Sequence, residues 1–155
     1  MAENKQVLHL RRIKSMAGGI QVMKHNAREK DNLVSDGYID IEKSKFNVYE
    51  GAHIADEFLK VYKKMINDAQ LKRKPQKNAS PIVEFIVSTS HDFSRDWEKN
   101  EEKKKLIDQY FSDAKIFIRK KYGDFIVSSA IHFDETTPHM HILCVPLVKK
   151  KGLKK

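Results

Sequence analysis

The stretch Ile131-His132-Phe133-Asp134-Glu135-Thr136-Thr137-Pro138-His139-Met140-His141-Ile142 sets three histidines and two carboxylates within ten residues, between two apolar runs. Imidazoles at this density point to a divalent metal ion. The helical zinc-protease pattern needs two histidines four apart with a glutamate beside the first. Here a histidine is followed by Glu at +3, His at +7 and His at +9, and a proline interrupts, so no helical face carries the set. Strand geometry does carry it. Successive strand side chains point to opposite faces, so His139 and His141 share one. A bend at Thr136-Thr137-Pro138 folds the chain back and brings His132 alongside them. A structural ion would recruit cysteine, and Cys144 is the only one. Three nitrogen ligands with open positions therefore predict a catalytic centre, against the competing reading of satisfied histidines on a hairpin.

The elements that must position this centre follow from periodicity. Val7 to Ile13 alternates as a strand, with Leu8 and Leu10 on one face and His9 and Arg11 on the other. Met16-Ala17-Gly18-Gly19 reads as a flexible break, and Ile20 to Lys30 as a polar helix carrying His25. Taken alone, His25 is an exposed helix histidine. Asp31 to Gly51 is irregular, with a turn at Asp36-Gly37 and a short strand expected at Tyr38–Ile41 or Lys45–Tyr49. Ala52 to Leu71 is an amphipathic helix whose stripe is Ile54, Phe58, Val61, Tyr62, Met65 and Ala69. It runs into a basic loop, Lys72 to Lys77, stopped by Pro75. The dense apolar run Pro81 to Ser88 is a central strand. A long helix from about Lys99 to Tyr122 buries Ile107, Tyr110, Phe111, Ala114, Phe117 and Ile118, and Gly123 stops it. Strands over Phe125–Phe133 and His139–Val148 complete the chain. The expected class is α+β: an antiparallel sheet with the histidine-bearing strands central, and two long helices covering one face while the other is left for the site.

At 155 residues the chain is long enough for one domain with a genuine core. No apolar run approaches membrane-spanning length, no secretory signal pattern opens the chain, and one cysteine allows no internal disulfide, which fits the cytoplasm. Lys and Arg total 30 against 21 Asp and Glu, a net charge of +9, which points to a polyanionic partner. With a metal site present, nucleic acid is the economical choice. Arg11, Arg12, Lys24, Arg28 and Lys43 are the candidate phosphate contacts. The basic tail Lys149 to Lys155 is expected to be disordered. Residues 1–148 are expected to form one domain, the N-terminal part of a longer protein.

The pair His139-Met140-His141 has the His-hydrophobe-His form of the HUH endonucleases, which nick single-stranded DNA. More closely, His132-x-Asp134-Glu135-x-Thr137-Pro138-His139-Met140-His141 resembles the metal motif of the MobV (Mob/Pre) plasmid mobilisation relaxases. Lys24-His25-Asn26-x-Arg28 is similar to that family's first motif, and Ser44-Lys45-Phe46-Asn47 more weakly to its second, with Lys43 where arginine is expected. The resemblance spans about Val7 to Val148. It implies site- and strand-specific cleavage and strand transfer on single-stranded or supercoiled plasmid DNA at an origin of transfer, in a bacterial cytoplasm. It also implies His132, His139 and His141 as ligands of Mn or Mg, with Zn, Co and Ni compatible on donor chemistry. His25 then becomes the nucleophile, Glu135 orients an imidazole or takes up its proton, Asp134 orients a ligand histidine, and Asn26 and Asn47 join the DNA contacts. Tyr38, Tyr49, Tyr110 and Tyr122 are the tyrosine alternatives, Tyr49 foremost. A replication-initiator or transposase-type nickase, a non-catalytic metal-stabilised DNA-binding module and a hydrolase of small phosphoesters are the rival functions.

Overall fold

The computed structural model describes residues 7–29 and 38–147. The expected turn at Asp36-Gly37, the end of the helix expected to Lys30, Val148 and the basic tail lie outside them. Among the described residues, five strands form one antiparallel sheet: β1 (Val7–Ile13), β2 (Val48–Gly51), β3 (Ile82–Ser88), β4 (Ile126–His132) and β5 (His139–Cys144), in the spatial order β1-β3-β5-β4-β2. The histidine strands β4 and β5 pair with each other, and β5 is the central strand. Four helices accompany them: α1 (Met16–Asn26), α2 (Ala55–Asp68), the single turn α3 (His91–Ser94) and α4 (Glu101–Tyr122). The class is α+β, as the sequence predicts.

The layering differs from the expectation. α4 covers one face, where Ile107, Phe111 and Ile118 pack against Phe85, Val87, Phe133, Met140 and Ile142. α1 and α2 cover the other, where Met23 and Phe58 pack against Ile82, Val127, Leu143 and Val145. The two long helices therefore lie on opposite sides of the sheet. An amphipathic stripe says that a helix is covered, but not which face of a sheet covers it. Each fully buried Phe or Ile here stabilises by about 1.5–3 kcal/mol, and both clusters contain several. Phe117, expected in the α4 stripe, is half exposed because the seam runs through Ile107, Phe111, Ala114 and Ile118.

Two further expectations are corrected. The Met16–Gly19 break is the first turn of α1: the Ser15 hydroxyl accepts from the Gly18 amide at 3.0 Å, and the helix starts at Met16. A Cβ on Gly19 would meet Phe58 at 3.4 Å and Ile82 at 3.5 Å, ordinary van der Waals contact, so the position is closely packed without demanding glycine. The Ser15 cap and the burial of Met23 against the sheet thus outweigh the low helix propensity of glycine. The short strand sits at Val48–Gly51, overlapping the second expected position only at Val48 and Tyr49, and Lys43–Phe46 is a 3-10 turn.

Edge strand β2 ends where β4 carries a bulge between Ile126 and Ser128. Gly51 lies there at φ +75°, and a Cβ on it would stand 2.6 Å from the Val127 carbonyl oxygen. Both the dihedral and the contact exclude a side chain. Gly51→Ala should destabilise the fold by about 1–3 kcal/mol, read as a lower urea midpoint at unchanged slope; an unaltered midpoint would show that the bulge relaxes without cost.

Candidate metal centre

His132 ends β4, His139 opens β5, and the ladder sets them opposite one another. His141 follows two residues along the same face. Ring centroids are 5.2 Å apart for His132–His139, 5.1 Å for His132–His141 and 4.9 Å for His139–His141. One nitrogen from each ring lies within 4.8 Å of those of the other two.

The remaining nitrogen of each ring is held from behind. His132 Nε2 is 2.8 Å from the backbone carbonyl oxygen of Asn26, His139 Nδ1 is 2.8 Å from that of Thr137, and His141 Nδ1 is 2.7 Å from Glu84 Oε1. All three partners accept, so each of these nitrogens carries the proton and the other presents a lone pair. His132 Nδ1, His139 Nε2 and His141 Nε2 are thereby aimed at one place. His141 Nε2 is buried and has no hydrogen-bond partner. A buried polar atom without a partner, beside two more converging lone pairs, is what a divalent ion satisfies. The donor set fits the group.

Protonation favours the same use. Burial, then the positive charges of Arg28 and His141, push the His132 pKa down to about 2. His141 is lowered too, chiefly by burial, against the Glu84 hydrogen bond that raises it. Neutral imidazole is the ligating form. Burial also raises the Glu84 carboxyl, but the hydrogen bond and charge of His141 and the Arg11 guanidinium outweigh it and leave its pKa below the ordinary value. Glu84 joins the candidate site, and the motif reading missed it. The available signal was an acid in the middle of an apolar central strand, Ile82-Val83-Glu84-Phe85-Ile86-Val87.

α1 brings His25 to this centre. Its ring lies edge-on to His132 and His141, with centroids 6.3 and 6.4 Å away. Glu135 Oε1 accepts from Arg28 Nη2 at 2.6 Å and stands 3.7 Å from His139 Nε2 and 4.0 Å from His132 Nδ1. Its carboxylate therefore sits at the ligating nitrogens and can share an ion with the triad as well as serve an imidazole.

Asp134 does not orient a ligand histidine as expected. Its fully buried carboxylate accepts from Arg28 Nε at 3.0 Å, Arg28 Nη2 at 2.7 Å, Ser44 Oγ at 2.8 Å and Asn47 Nδ2 at 2.7 Å. Burial works against its ionisation, yet the hydrogen bonds from Arg28, Asn47 and Ser44 outweigh it and hold the pKa far below the carboxylate range. This knot ties the loop after β4 to the end of α1 and to the 3-10 turn.

The candidate DNA contacts consequently separate. Arg28 is turned inward with a side chain 6% exposed, so its charge goes to Asp134 and Glu135 rather than to a phosphate. Asn26 is buried, 3.4 Å from Glu84 Oε1 through Nδ2. Asn47 accepts from the Phe133 amide at 2.7 Å and donates to Asp134, so both ends of its amide are structural. Lys43 pairs with Glu98. Arg12, in register with Val83, lies on the α4 side of the sheet, away from the histidines. Arg11 and the half-buried Lys24 are on the histidine side.

Tyr49 is the tyrosine of the site: its ring lies edge-on to His132 at 6.5 Å, and its hydroxyl accepts from Asn47 Nδ2 at 3.3 Å. Burial raises its pKa above the ordinary value, which disfavours phenolate. Tyr110 donates to the Ser88 carbonyl, Tyr122 packs on Phe85 and Tyr38 is exposed. Cys144 is buried on the α4 side, its thiol pushed up to about 12 by burial, and takes no part.

The sequence model of the plasmid recombination enzymes (Mob_Pre) matches residues 2–155. A plasmid recombination enzyme of Bacillus thuringiensis is 32% identical over 152 residues, 95% of this chain and 32% of its own length. One of Lactiplantibacillus plantarum is 32% identical over 131 residues, covering 83% of this chain and 35% of its own length. This chain thus spans about a third of the length of these curated relatives. Among solved structures, the Mn-bound MobM relaxase domain (MOBV; Mob_Pre) on plasmid pMV158 oriT DNA matches with a TM-score of 0.75 at 28% identity, covering 94% of this chain and 72% of that one.

Two measurements probe the centre. Arg28→Ala strands the buried Asp134 carboxylate and should cost about 3–5 kcal/mol of stability in the absence of any DNA; a loss confined to DNA binding would return Arg28 to the phosphate contacts. The second concerns pH. Above about 6.5 both folded and unfolded His132 are neutral; below it the unfolded chain takes up the proton and the folded chain does not. Stability of the metal-free protein should therefore fall as pH drops from 6.5 toward 4.5, by up to about 1.4 kcal/mol per pH unit for this group, with His141 adding in the same direction. Urea unfolding in chelator across that range tests it, and a flat profile contradicts a buried, neutral His132 and His141.

Proposed function

The chain belongs to the plasmid recombination enzyme (Mob_Pre) family, and on that premise we propose that it is a metal-dependent relaxase. Residues 1–148 act as the nicking domain, which cleaves one strand of plasmid DNA at an origin of transfer through a covalent histidine–5′-phosphate intermediate and so serves mobilisation. The supporting observation is the placement of His25 edge-on to two of three imidazoles whose remaining lone pairs converge. MobM, similar over nearly the whole chain, binds manganese and oriT DNA, and the same ion class suits His132, His139 and His141 here. When bound, a divalent ion supplies positive charge against the charge that builds on the non-bridging oxygens of the scissile phosphate.

The residues of the chain do the rest. An unprotonated His25 nitrogen attacks phosphorus, an N–P bond forms, and the P–O3′ bond breaks with its electron pair going to the 3′ oxygen, which leaves as an alkoxide and takes a proton from water to become the 3′-hydroxyl. The proton on the other His25 nitrogen is lost to a base, the role assigned to Glu135. The phosphoramidate retains enough energy for a 3′-hydroxyl to reverse the step and reseal the strand. Arg11 and Lys24, on the histidine side of the sheet, guide the backbone. Among the described residues no helix is long and apolar enough to cross a membrane, and we place the reaction in the bacterial cytoplasm.

Incubation with Mn²⁺ and a pool of randomised single-stranded DNA should yield a covalent adduct that mass spectrometry maps to His25. The adduct should hydrolyse in mild acid, disappear in His25→Ala with Mn²⁺ binding retained, and persist in Tyr49→Phe. An acid-stable adduct lost in Tyr49→Phe would move the nucleophile to tyrosine, and absence of any adduct would leave a binding module.

A further inference from the structure

The histidine face of the sheet does not stop at the triad. In the ladder His141 is in register with Ile86, and Ile86 with His9; Leu143 is in register with Glu84, and Glu84 with Arg11. Registered neighbours share a face, so edge strand β1 presents His9 and Arg11 on the side that carries the metal ligands. Between Arg11 and His141 stands Glu84, with no exposed surface. Its two oxygens are divided: Oε2 accepts from Arg11 Nη2 at 2.5 Å and Oε1 from His141 Nδ1 at 2.7 Å. Arg11 spends one of a guanidinium's five N–H donors on this bond, and its side chain is 50% exposed. One end of a two-bond chain is therefore at the surface, and the other is a metal ligand.

We propose that Arg11 binds a phosphate of the DNA strand while holding Glu84, and that DNA binding and metal binding at the triad are thereby coupled through Arg11, Glu84 and His141. The proposal rests on the DNA-nicking reading. The physics is a sharing of charge. With Arg11 unneutralised, its positive field draws on the Glu84 carboxylate that orients and polarises His141. A phosphate on the outer donors cancels part of that field and leaves more of the carboxylate's charge for the imidazole, whose Nε2 becomes a better ligand. Carboxylates behind ligating histidines change metal affinity by about 10–100-fold when removed, so a partial change in one is a several-fold effect. By linkage the ion tightens DNA by the same factor. Arg11 is in this role a positioning residue, acting on the ion through Glu84.

The test uses the whole chain carrying His25→Ala, which prevents cleavage, with Mn²⁺ titrated in the presence and absence of a single-stranded dT20 oligonucleotide. The parent should bind Mn²⁺ about fivefold or more tightly with DNA present. Part of that factor comes from phosphate meeting the ion directly, and Arg11→Ala isolates the remainder. If Arg11 were merely a phosphate contact, Arg11→Ala would weaken DNA equally with and without Mn²⁺ and leave the coupling factor as it was. We expect the factor to shrink at least severalfold, Arg11→Lys to retain part of it, and Arg11→Ala to change nothing further in a Glu84→Gln background. Arg11→Gln, which keeps a donor for Glu84 without the charge, replaces alanine if that variant does not fold. An unchanged coupling factor in either neutral variant overturns the proposal while DNA and Mn²⁺ still bind. Absence of both DNA binding and the covalent adduct in the unmodified chain would remove the nicking reading instead.

Discussion

Three imidazoles set side by side, two of them buried, can face one point only if each is fixed through its other nitrogen, and much of this structure serves that requirement. The fixing acceptors come from three separate parts of the chain: the Asn26 carbonyl at the end of α1, the Thr137 carbonyl in the bend before β5, and the Glu84 carboxylate on β3. A hairpin alone supplies the spacing of His132, His139 and His141, but not the tautomers. Those depend on α1 ending where it does and on β3 pairing with β5 in one register. A slip of one residue would turn Glu84 to the α4 face. Metal-binding geometry and tertiary fold are thus set by the same contacts.

The Arg28–Asp134 pair illustrates how a motif is divided between chemistry and framework. Lys24-His25-Asn26-x-Arg28 reads as an imidazole ringed by phosphate contacts, because cations beside a nucleophile suit an anionic substrate. In the fold, Arg28 neutralises a buried carboxylate, and Asn26 meets Glu84 with its side chain and His132 with its backbone. A buried carboxylate without its cation would cost several kcal/mol, whereas an exposed arginine at a phosphate contributes in proportion to salt screening. The cost of stranding Asp134 is the greater of the two, and it decides where Arg28 goes. Arg11 and Lys24 remain as positive charge on the histidine side.

What was legible in the sequence was local. Period-two alternation placed His139 with His141, and the proline bend placed His132, because both follow from backbone geometry within a few residues. The β1, β3 and α4 spans follow from apolar periodicity in the same way, and the closing pair of strands differs mainly at its ends. The distribution of helices over two faces was not legible, since the stripe of Phe58, Val61 and Met65 is the same whichever face receives it. Nor was the partner of Glu84, 57 residues from His141, although an acid within Ile82–Val87 signalled that some buried partner exists. Gly18-Gly19 misled because glycine reads as a break, whereas the Ser15 cap and the burial of Met23 carry the helix through it. The resemblance to the plasmid mobilisation relaxases, resting on the three short motifs, reached the family before any of these contacts was visible.

The partnerless nitrogen of His141 links stability to function. A buried group denied its hydrogen bond costs about 1–3 kcal/mol, and the neighbouring His132, held neutral by burial, adds to that cost at low pH. The unfolded chain bears none of it, so the metal-free fold carries a penalty that the ion relieves on binding. Binding to the folded form alone adds stability as the logarithm of ion concentration over its dissociation constant. The same framework that makes the metal-free site costly also spares the chain from reorganising ligands when the ion arrives, because Asn26, Thr137 and Glu84 already hold the three rings. His25 shares in this arrangement, since the α1 terminus that carries it also holds His132. His25 and the three imidazoles are therefore held by one framework, and a change that loosens the end of α1 acts on both together.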